Sequence, residues 1–249
     1  MKILITSGGT KIPIDRVRSI TNMSKGTFGS RIADAFYTKL FNDQVISRDF
    51  SHKITFFMAK GSKRPMRQSI DNEYFDSGVD IMKYVEYSTF DEYKVGIEKL
   101  LSEEKFDIIV VAAAVSDYGV ANYYNGKYRS REDDMCIKLV KLPKILPIMR
   151  KLAPNSVICG FKLLVDSTED ELVEAMRKQI TESDVDLVIG NDLRDIKADN
   201  HSLLVISKHD SNVRKYVQPP KDKRDKCSLL YPLAQNVVDE CFKEFECNR

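Results

Sequence analysis

The segment Phe106–Val115, FDIIVVAAAV, constrains this chain more than any other. It is the most apolar stretch present and is rich in β-branched residues, so it reads as a central strand buried on both faces. A strand without a polar face needs helices on both sides, which points to a largely parallel sheet built by alternating strands and helices. Further strands are predicted at Lys2–Thr6, Ile54–Met58, Tyr84–Ser88, Cys136–Val140, Ser156–Phe161 and Asp186–Gly190, with paired strands at Leu203–Ser207 and Val213–Val217. Helical spacing of apolar residues covers Gly29–Leu40, Phe90–Leu101, Pro143–Leu152, Thr168–Thr181 and Leu229–Phe245. Pro143 suits a first helical position, and Ser167/Asp170 or Thr168/Glu171 supply a capping pattern. The polar stretch 118–134, with Asn125-Gly126, reads as a mobile loop inside a small separate element at 116–142. The expected class is α/β, a single domain over 1–249 with helices on both faces of the sheet.

Composition excludes several functions. The 39 Lys+Arg against 37 Asp+Glu leave a formal charge of only +2, so no global field favours nucleic acid or a membrane surface. Ile3-Leu4-Ile5 is too short for a secretory core, and no apolar run approaches the roughly 20 residues that span a bilayer. The five cysteines (Cys136, Cys159, Cys227, Cys241, Cys247) form no C-x-x-C pair and read as reduced thiols of a cytoplasmic protein, with Cys136 and Cys159 in the core. His52, His201 and His209 lack metal-ligand spacing, and no metal site from protein side chains is expected.

Four segments carry chemistry. In a doubly wound sheet, ligands sit beyond the carboxyl ends of the strands. The first such end is Ser7-Gly8-Gly9-Thr10, where glycines admit backbone N–H groups to a phosphate and Thr10 adds a hydroxyl; a plain tight turn is the bland equivalent. Asn22-Met23-Ser24-Lys25-Gly26-Thr27-Phe28-Gly29 runs straight into a helix, whose N-terminus favours an anion; a simple Ser/Gly cap needs no ligand. Ala112-Ala113-Ala114-Val115-Ser116-Asp117 leaves room for a planar ring, with Asp117 as an acceptor for ribose hydroxyls. The loop Gly126-Lys127-Tyr128-Arg129 is ordinary solvated surface unless it covers a phosphate, where Lys127 could neutralise charge. The glycine spacing matches neither G-x-G-x-x-G nor the P-loop, which disfavours a nicotinamide cofactor.

Together these segments resemble the phosphopantothenoylcysteine synthetase family. The pattern Ser7-Gly8-Gly9-Thr10, then Pro13, Asp15, Val17, Arg18, Ile20, Asn22, Ser24, Gly26 and Gly29, is similar to that family's amino-terminal signature. Ala112–Tyr118, Lys127, Lys141–Leu146 and Gly160-Phe161-Lys162 follow in the family's order, so the likeness covers about residues 2 to 207. The resemblance implies a Rossmann-like fold and a homodimer whose flaps, about 116–142, cross between subunits. It implies a coenzyme A pathway ligase that activates phosphopantothenate with CTP or ATP, CTP favoured, and then passes the acyl group to cysteine. A magnesium ion would accompany the nucleotide, and a separate phosphopantothenoylcysteine decarboxylase would be a pathway neighbour of this stand-alone form.

By position, Asn22 and Lys127 are implied as catalytic residues, and Arg18, Ser24, Gly26 and Gly29 as substrate-binding. Gly8, Gly9, Thr10, Ala112, Ala113, Asp117, Lys127, Pro143, Ile145, Phe161 and Lys178 are implied to line the nucleotide pocket. The chain departs from the pattern at Lys25, which adds a positive charge, and at the flap, where Lys127-Tyr128-Arg129-Ser130 replaces a lysine cluster. A Rossmann-type nucleotide-binding protein without catalysis is the alternative, but it leaves Asn22 and Lys127 without a task.

Overall fold

A computed structural model describes residues 1–47, 51–66, 81–129, 135–197, 201–218 and 230–248. The chain opens with β1 (Lys2–Ser7), the short pair β2 (Lys11–Pro13) and β3 (Ser19–Thr21), and helix α1 (Thr27–Ser47). Next come β4 (Lys53–Ala59), β5 (Met82–Tyr87), α2 (Phe90–Glu103), β6 (Ile108–Val111) and β7 (Tyr118–Val120). β8 (Leu139–Lys141), α3 (Ile145–Leu152), β9 (Val157–Leu164), α4 (Glu169–Ser183), β10 (Leu187–Asp192) and α5 (Leu193–Lys197) continue the alternation. The antiparallel strands β11 (Ser202–Ser207) and β12 (Arg214–Val217) and helix α6 (Tyr231–Cys247) complete it.

Eight strands form one sheet in the order β12-β11-β10-β9-β6-β1-β4-β5. Six of them are parallel, and β11 and β12 return antiparallel at one edge. Alternation within each strand sends side chains to two separate cores. On one face Ile3, Ile54, Ile108 and Val157, which lie side by side in register, pack under α1 and α6 through Ile32, Phe36, Leu233 and Val237. On the other, Leu4, Phe57, Ile109 and Ile158 pack under α2, α3 and α4 through Tyr93, Ile97, Met149 and Met176. Both faces are thus covered by helices, as the doubly apolar strand requires.

Several boundaries differ from the sequence reading. The strand expected over Phe106–Val115 occupies only Ile108–Val111, because the alanine run leaves the ladder to meet the β1 loop. The stretch expected to be a loop from Tyr118 contains β7, paired antiparallel with β8; three-residue strands with mostly exposed side chains carry no readable periodicity. Residues 130–134 lie outside the described residues. Pro143 does not open α3: the Leu142 N–H donates to the Asp117 carbonyl (2.8 Å), and Lys144 is an extended N-cap before Ile145. Of the two candidate caps on α4, Thr168 and Glu171 form the reciprocal box, whereas Ser167 is engaged by Asp192. Cys136 is exposed rather than core; Cys159 and Cys241 are buried, and Cys227 lies outside the described residues. Among those residues no helix is long and apolar enough to cross a membrane.

Candidate functional site

The carboxyl ends of β1 and β6 adjoin, and their loops are stitched together. The Ala114 N–H donates to the Gly8 carbonyl (2.8 Å) and the Thr10 N–H to the Ala114 carbonyl (3.2 Å). Gly8 is left-handed (φ 90°), and a Cβ there would stand 2.6 Å from that of Ala59, so only glycine fits. Thr10, expected to offer its hydroxyl to a phosphate, is fully buried. Its Oγ1 accepts from the Ser116 N–H (2.9 Å) and bonds the Ser116 hydroxyl (3.1 Å), so this side chain fastens the two loops together. Two tyrosines brace the loop from below: Tyr87 donates to the Ser7 carbonyl (2.8 Å) and Tyr93 to the Thr6 hydroxyl (3.1 Å). Burial pushes both phenols up, so they stay neutral donors.

Asn22 follows β3 and sits over Gly9, where a Cβ would come within 3.0 Å of the Asn22 carbonyl. Its amide donates to the Ala114 carbonyl (2.6 Å) and lies 3.5 Å from the Ser116 hydroxyl. The amide thus holds the β6 loop with one short bond, and its second N–H makes only the long contact to Ser116. Asn22 is therefore brought together with Gly8–Thr10 and Ala112–Ser116.

The N-terminus of α1 adjoins this seam. Gly26 is left-handed (φ 72°); its N–H reaches Ser24 Oγ at 3.4 Å, and Ser7 donates to its carbonyl (3.1 Å). A Cβ at Gly29 would stand 2.4 Å from Ser7 Oγ, so the helix start rests directly on β1. The first turn of α1 holds no acidic residue, leaving the positive end of the helix dipole uncompensated. Sequence reasoning missed a third wall, the loop after β4. Lys63 N–H donates to the Lys25 carbonyl (3.0 Å), and Ser62 Oγ is buried beside Gly8 without a hydrogen-bond partner.

The nucleotide-pocket candidates are more dispersed. Asp117 is exposed and pairs with Lys144 through Oδ1 (2.6 Å). Pro143 is exposed, and Ile145 is buried. Phe161 meets Phe28 of α1 edge to face, with centroids 6.0 Å apart. Lys178 is not brought to the seam: it is paired with Glu182 on α4, nine residues and about 14 Å along a helix that leads away from the strand ends.

The loop after β9 is instead organised by Asp192, which sequence patterning did not single out. It accepts from the Ser167 N–H (2.8 Å), the Ser167 hydroxyl (2.8 Å), the Arg194 N–H (2.8 Å) and the Asp166 N–H (3.2 Å). The Ser167 amide leads in holding its carboxyl at about 2 against the opposing effect of burial.

Arg18 and Lys127 stand at the far end of the β2–β3 hairpin. The Arg18 guanidinium donates to the Tyr128 carbonyl (2.8 Å) and lies 3.8 Å from Asp15. Lys127 is exposed and has no ion-pair partner among the described residues. Arg18 is four residues from Asn22 along an extended chain, about 13 Å. Among the described residues, no group of three or more His, Cys, Asp or Glu side chains could hold a metal ion. A cavity of ≈ 440 Å³ lined by Lys2, Lys53, Lys83 and Glu104 lies at the opposite, amino-terminal edge of the strands, away from these groups.

Comparison with known proteins follows this geometry. Residues 1–69 and 79–233 match the DNA/pantothenate metabolism flavoprotein C-terminal domain. A coenzyme A biosynthesis bifunctional protein CoaBC of Thermococcus kodakarensis is 29% identical over 207 residues, 83% of this chain and 45% of that protein. A phosphopantothenate–cysteine ligase of Saccharomyces cerevisiae is 28% identical, over 76% of this chain and 64% of the ligase. This chain therefore spans less than two thirds of either relative. A DNA/pantothenate metabolism flavoprotein from Streptococcus pneumoniae superposes with a TM-score of 0.75 at 25% identity, covering 98% of this chain and 99% of its own. A Cab2 variant in complex with phosphopantothenate-cysteine shares the fold at a TM-score of 0.74 and 20% identity, covering 99% and 87%. The chain belongs to the DNA/pantothenate metabolism flavoprotein C-terminal domain family.

Proposed function

We propose that this domain joins 4′-phosphopantothenate to L-cysteine, as a ligase of coenzyme A biosynthesis, through an acyl-nucleotidylate. One observation carries the reading: Asn22 is docked on the stitched β1 and β6 loops beside the uncompensated N-terminus of α1. That places a neutral amide donor next to two glycine turns and a positive helix end, a setting for an acyl group flanked by phosphates. The Saccharomyces cerevisiae relative is named as a phosphopantothenate–cysteine ligase and the Thermococcus kodakarensis one as a coenzyme A biosynthesis protein, and the family match covers most of the chain.

The chemistry needs two displacements. A carboxylate does not accept an amine until its oxygen becomes a good leaving group. The phosphopantothenate carboxylate attacks the α-phosphorus of the triphosphate; the new O–P bond forms as the bond to the β-phosphate oxygen breaks, and pyrophosphate leaves. The unprotonated amine of cysteine then attacks the acyl carbon. The C–N bond forms, the C–O bond breaks, and nucleoside monophosphate leaves with the electron pair while the amine proton passes to solvent. Asn22 titrates nowhere near neutral pH, so its task is donation to the activated acyl group. Lys127 supplies positive charge toward the phosphates, and a magnesium ion carried by the triphosphate adds further charge neutralisation. Gly8, Gly9, Ala112 and Ala113 offer backbone rather than side-chain groups to a base, a surface that suits the small pyrimidine ring of CTP.

Two further readings belong with it. The β7–β8 ribbon presents Tyr118, Leu139 and Val140 to solvent, which supports a homodimer closed through this element. The four described cysteines are free thiols, in keeping with a cytoplasmic protein. The deciding experiment is pyrophosphate release with phosphopantothenate and either CTP or ATP, with and without cysteine. CTP is expected to give the higher kcat/KM. Nucleotide binding without pyrophosphate release from either nucleotide would overturn the ligase reading.

A further inference from the structure

We propose that Asp15 is a positioning residue of this reaction: its carboxylate ties the backbone at Tyr128, next to Lys127, to the hairpin that leads into Asn22. The inference rests on the ligase reading for its catalytic consequence, while the tie itself is a matter of geometry.

The Asp15 side chain is fully buried, although it belongs to an otherwise exposed turn. Its two oxygens have separate work. Oδ1 accepts from the N–H groups of Val17 (2.8 Å) and Arg18 (2.7 Å), which closes the turn between β2 and β3. Oδ2 accepts from the Tyr128 N–H (3.2 Å), a partner 113 residues away. A turn needs only the first oxygen. The second serves the segment that carries Lys127.

Other bonds share that direction. Arg18 donates to the Tyr128 carbonyl (2.8 Å), the Arg16 N–H to the Gly126 carbonyl (3.0 Å) and the Tyr124 N–H to the Ile14 carbonyl (3.1 Å). The rings of Tyr124 and Tyr128 pack at 4.7 Å on the same side. Lys127 is therefore held through both neighbours, Gly126 and Tyr128, while its own side chain stays exposed. Asp15 sits at the centre of this contact as the acceptor for both chain segments. Burial pushes its carboxyl up, but the three amide donors and the Arg18 guanidinium outweigh that and hold it below the usual carboxylate range.

The chemistry of the side chain supplies a selective test. In Asp15→Asn the amide oxygen can keep the Val17 and Arg18 bonds, but its NH₂ then faces the Tyr128 N–H, donor against donor. The flipped amide would give up two bonds to keep one. Asp15→Ser keeps a turn-closing hydroxyl and is too short to reach Tyr128. Both variants spare the turn and remove the Tyr128 N–H bond, which loosens the Lys127 segment at that point while the Arg16 and Arg18 contacts remain.

The experiment has two arms. Amide exchange followed by NMR should show Tyr128 exchanging about tenfold faster or more in either variant, as expected for loss of one charge-assisted bond, with Val17 and Arg18 unchanged. Pyrophosphate release should show kcat down about tenfold or more with KM for phosphopantothenate little altered. In a Lys127→Gln background the same Asp15 substitutions should add almost nothing, because the charge they misplace is gone. Unchanged Tyr128 exchange in both variants, or an equal fractional loss of kcat with and without Lys127, would overturn the proposal and leave Asp15 a turn residue. Wild-type protein that releases no pyrophosphate would sink the ligase reading and the catalytic half of the proposal, while the exchange arm still decides whether Asp15 holds the segment.

Discussion

Gly29→Ala tests the packing that joins the helix start to the first strand. The added Cβ would stand 2.4 Å from Ser7 Oγ and 2.8 Å from Ser7 Cβ, both inside any tolerable separation. Ser7 is fully buried and donates to the Gly26 carbonyl (3.1 Å), so it cannot rotate away without abandoning that bond. Overpacking of this kind costs about 1–3 kcal/mol, and the lost hydrogen bond adds about 1. Alanine returns up to about 1 kcal/mol of helix propensity, leaving a net loss of roughly 1–3 kcal/mol. For a domain of this size that is a fall in Tm of about 2–12 °C by calorimetry. Ser7→Ala in the same chain removes the closer of the two clashes but not the Cβ–Cβ one, so it should restore only part of the loss. Ser7→Gly should relieve both. A Gly29→Ala protein that melts with the wild type would show that α1 and β1 are not packed this tightly, and would remove the steric reason for glycine there.

Three other outcomes are expected. Asn22→Asp replaces the donor to the Ala114 carbonyl with a carboxylate, so aminolysis should slow by about a hundredfold while acyl-nucleotidylate accumulates by mass spectrometry; product at the wild-type rate would remove Asn22 from the site. The Asp192 carboxyl sits at about 2 in the fold against a usual 3.8. Its folded-state pKa is depressed, so its contribution to stability is present above about pH 4 and is lost as pH falls toward 2. The gap in stability between wild type and Asp192→Asn in urea melts should close over that window, and a gap that persists at pH 2 would contradict the assignment. Light scattering should give about twice 28.5 kDa for the wild type, and Leu139→Asp on the exposed ribbon should shift it toward the monomer.

The sheet is legible in the sequence because its central parallel strands carry uninterrupted apolar runs, and Ile3–Ile5, Phe56–Met58 and Ile108–Val111 need no context to be recognised. The glycine loops are legible for a related reason: Gly8 and Gly26 occupy backbone conformations that other residues avoid. What escapes pattern reading is held by single side chains bonding across long separations. Thr10 with Ser116, Asp15 with Tyr128 and Asp192 with Ser167 are ordinary polar residues in sequence, and only the fold gives each its partner. The β2–β3 pair and β7 escape too, because three residues are too few to show a period of two, and the strand expected over Cys136–Val140 is found only as Leu139–Lys141. Lys178 shows a further limit: the sequence places a basic residue on α4, but only the fold shows it paired with Glu182, well along the helix from the strand ends.

The strand order also sets a sequence of events as the chain leaves the ribosome. After β1 the chain builds outward to β4 and β5, then crosses to β6 and proceeds through β9, β10, β11 and β12 in order along the other side. The first strand made lies between β4 and β6, so its second edge stays open until residues 108–111 have been synthesised. From then on, every new strand is laid on the edge left by its predecessor, and each edge is exposed only until the next arrives. The last of them, Arg214–Val217, is four residues long and begins with two cations, Arg214 and Lys215. A short, charged strand is a poor template for another chain, so growth of the sheet ends where the sequence runs out of hydrophobic edge.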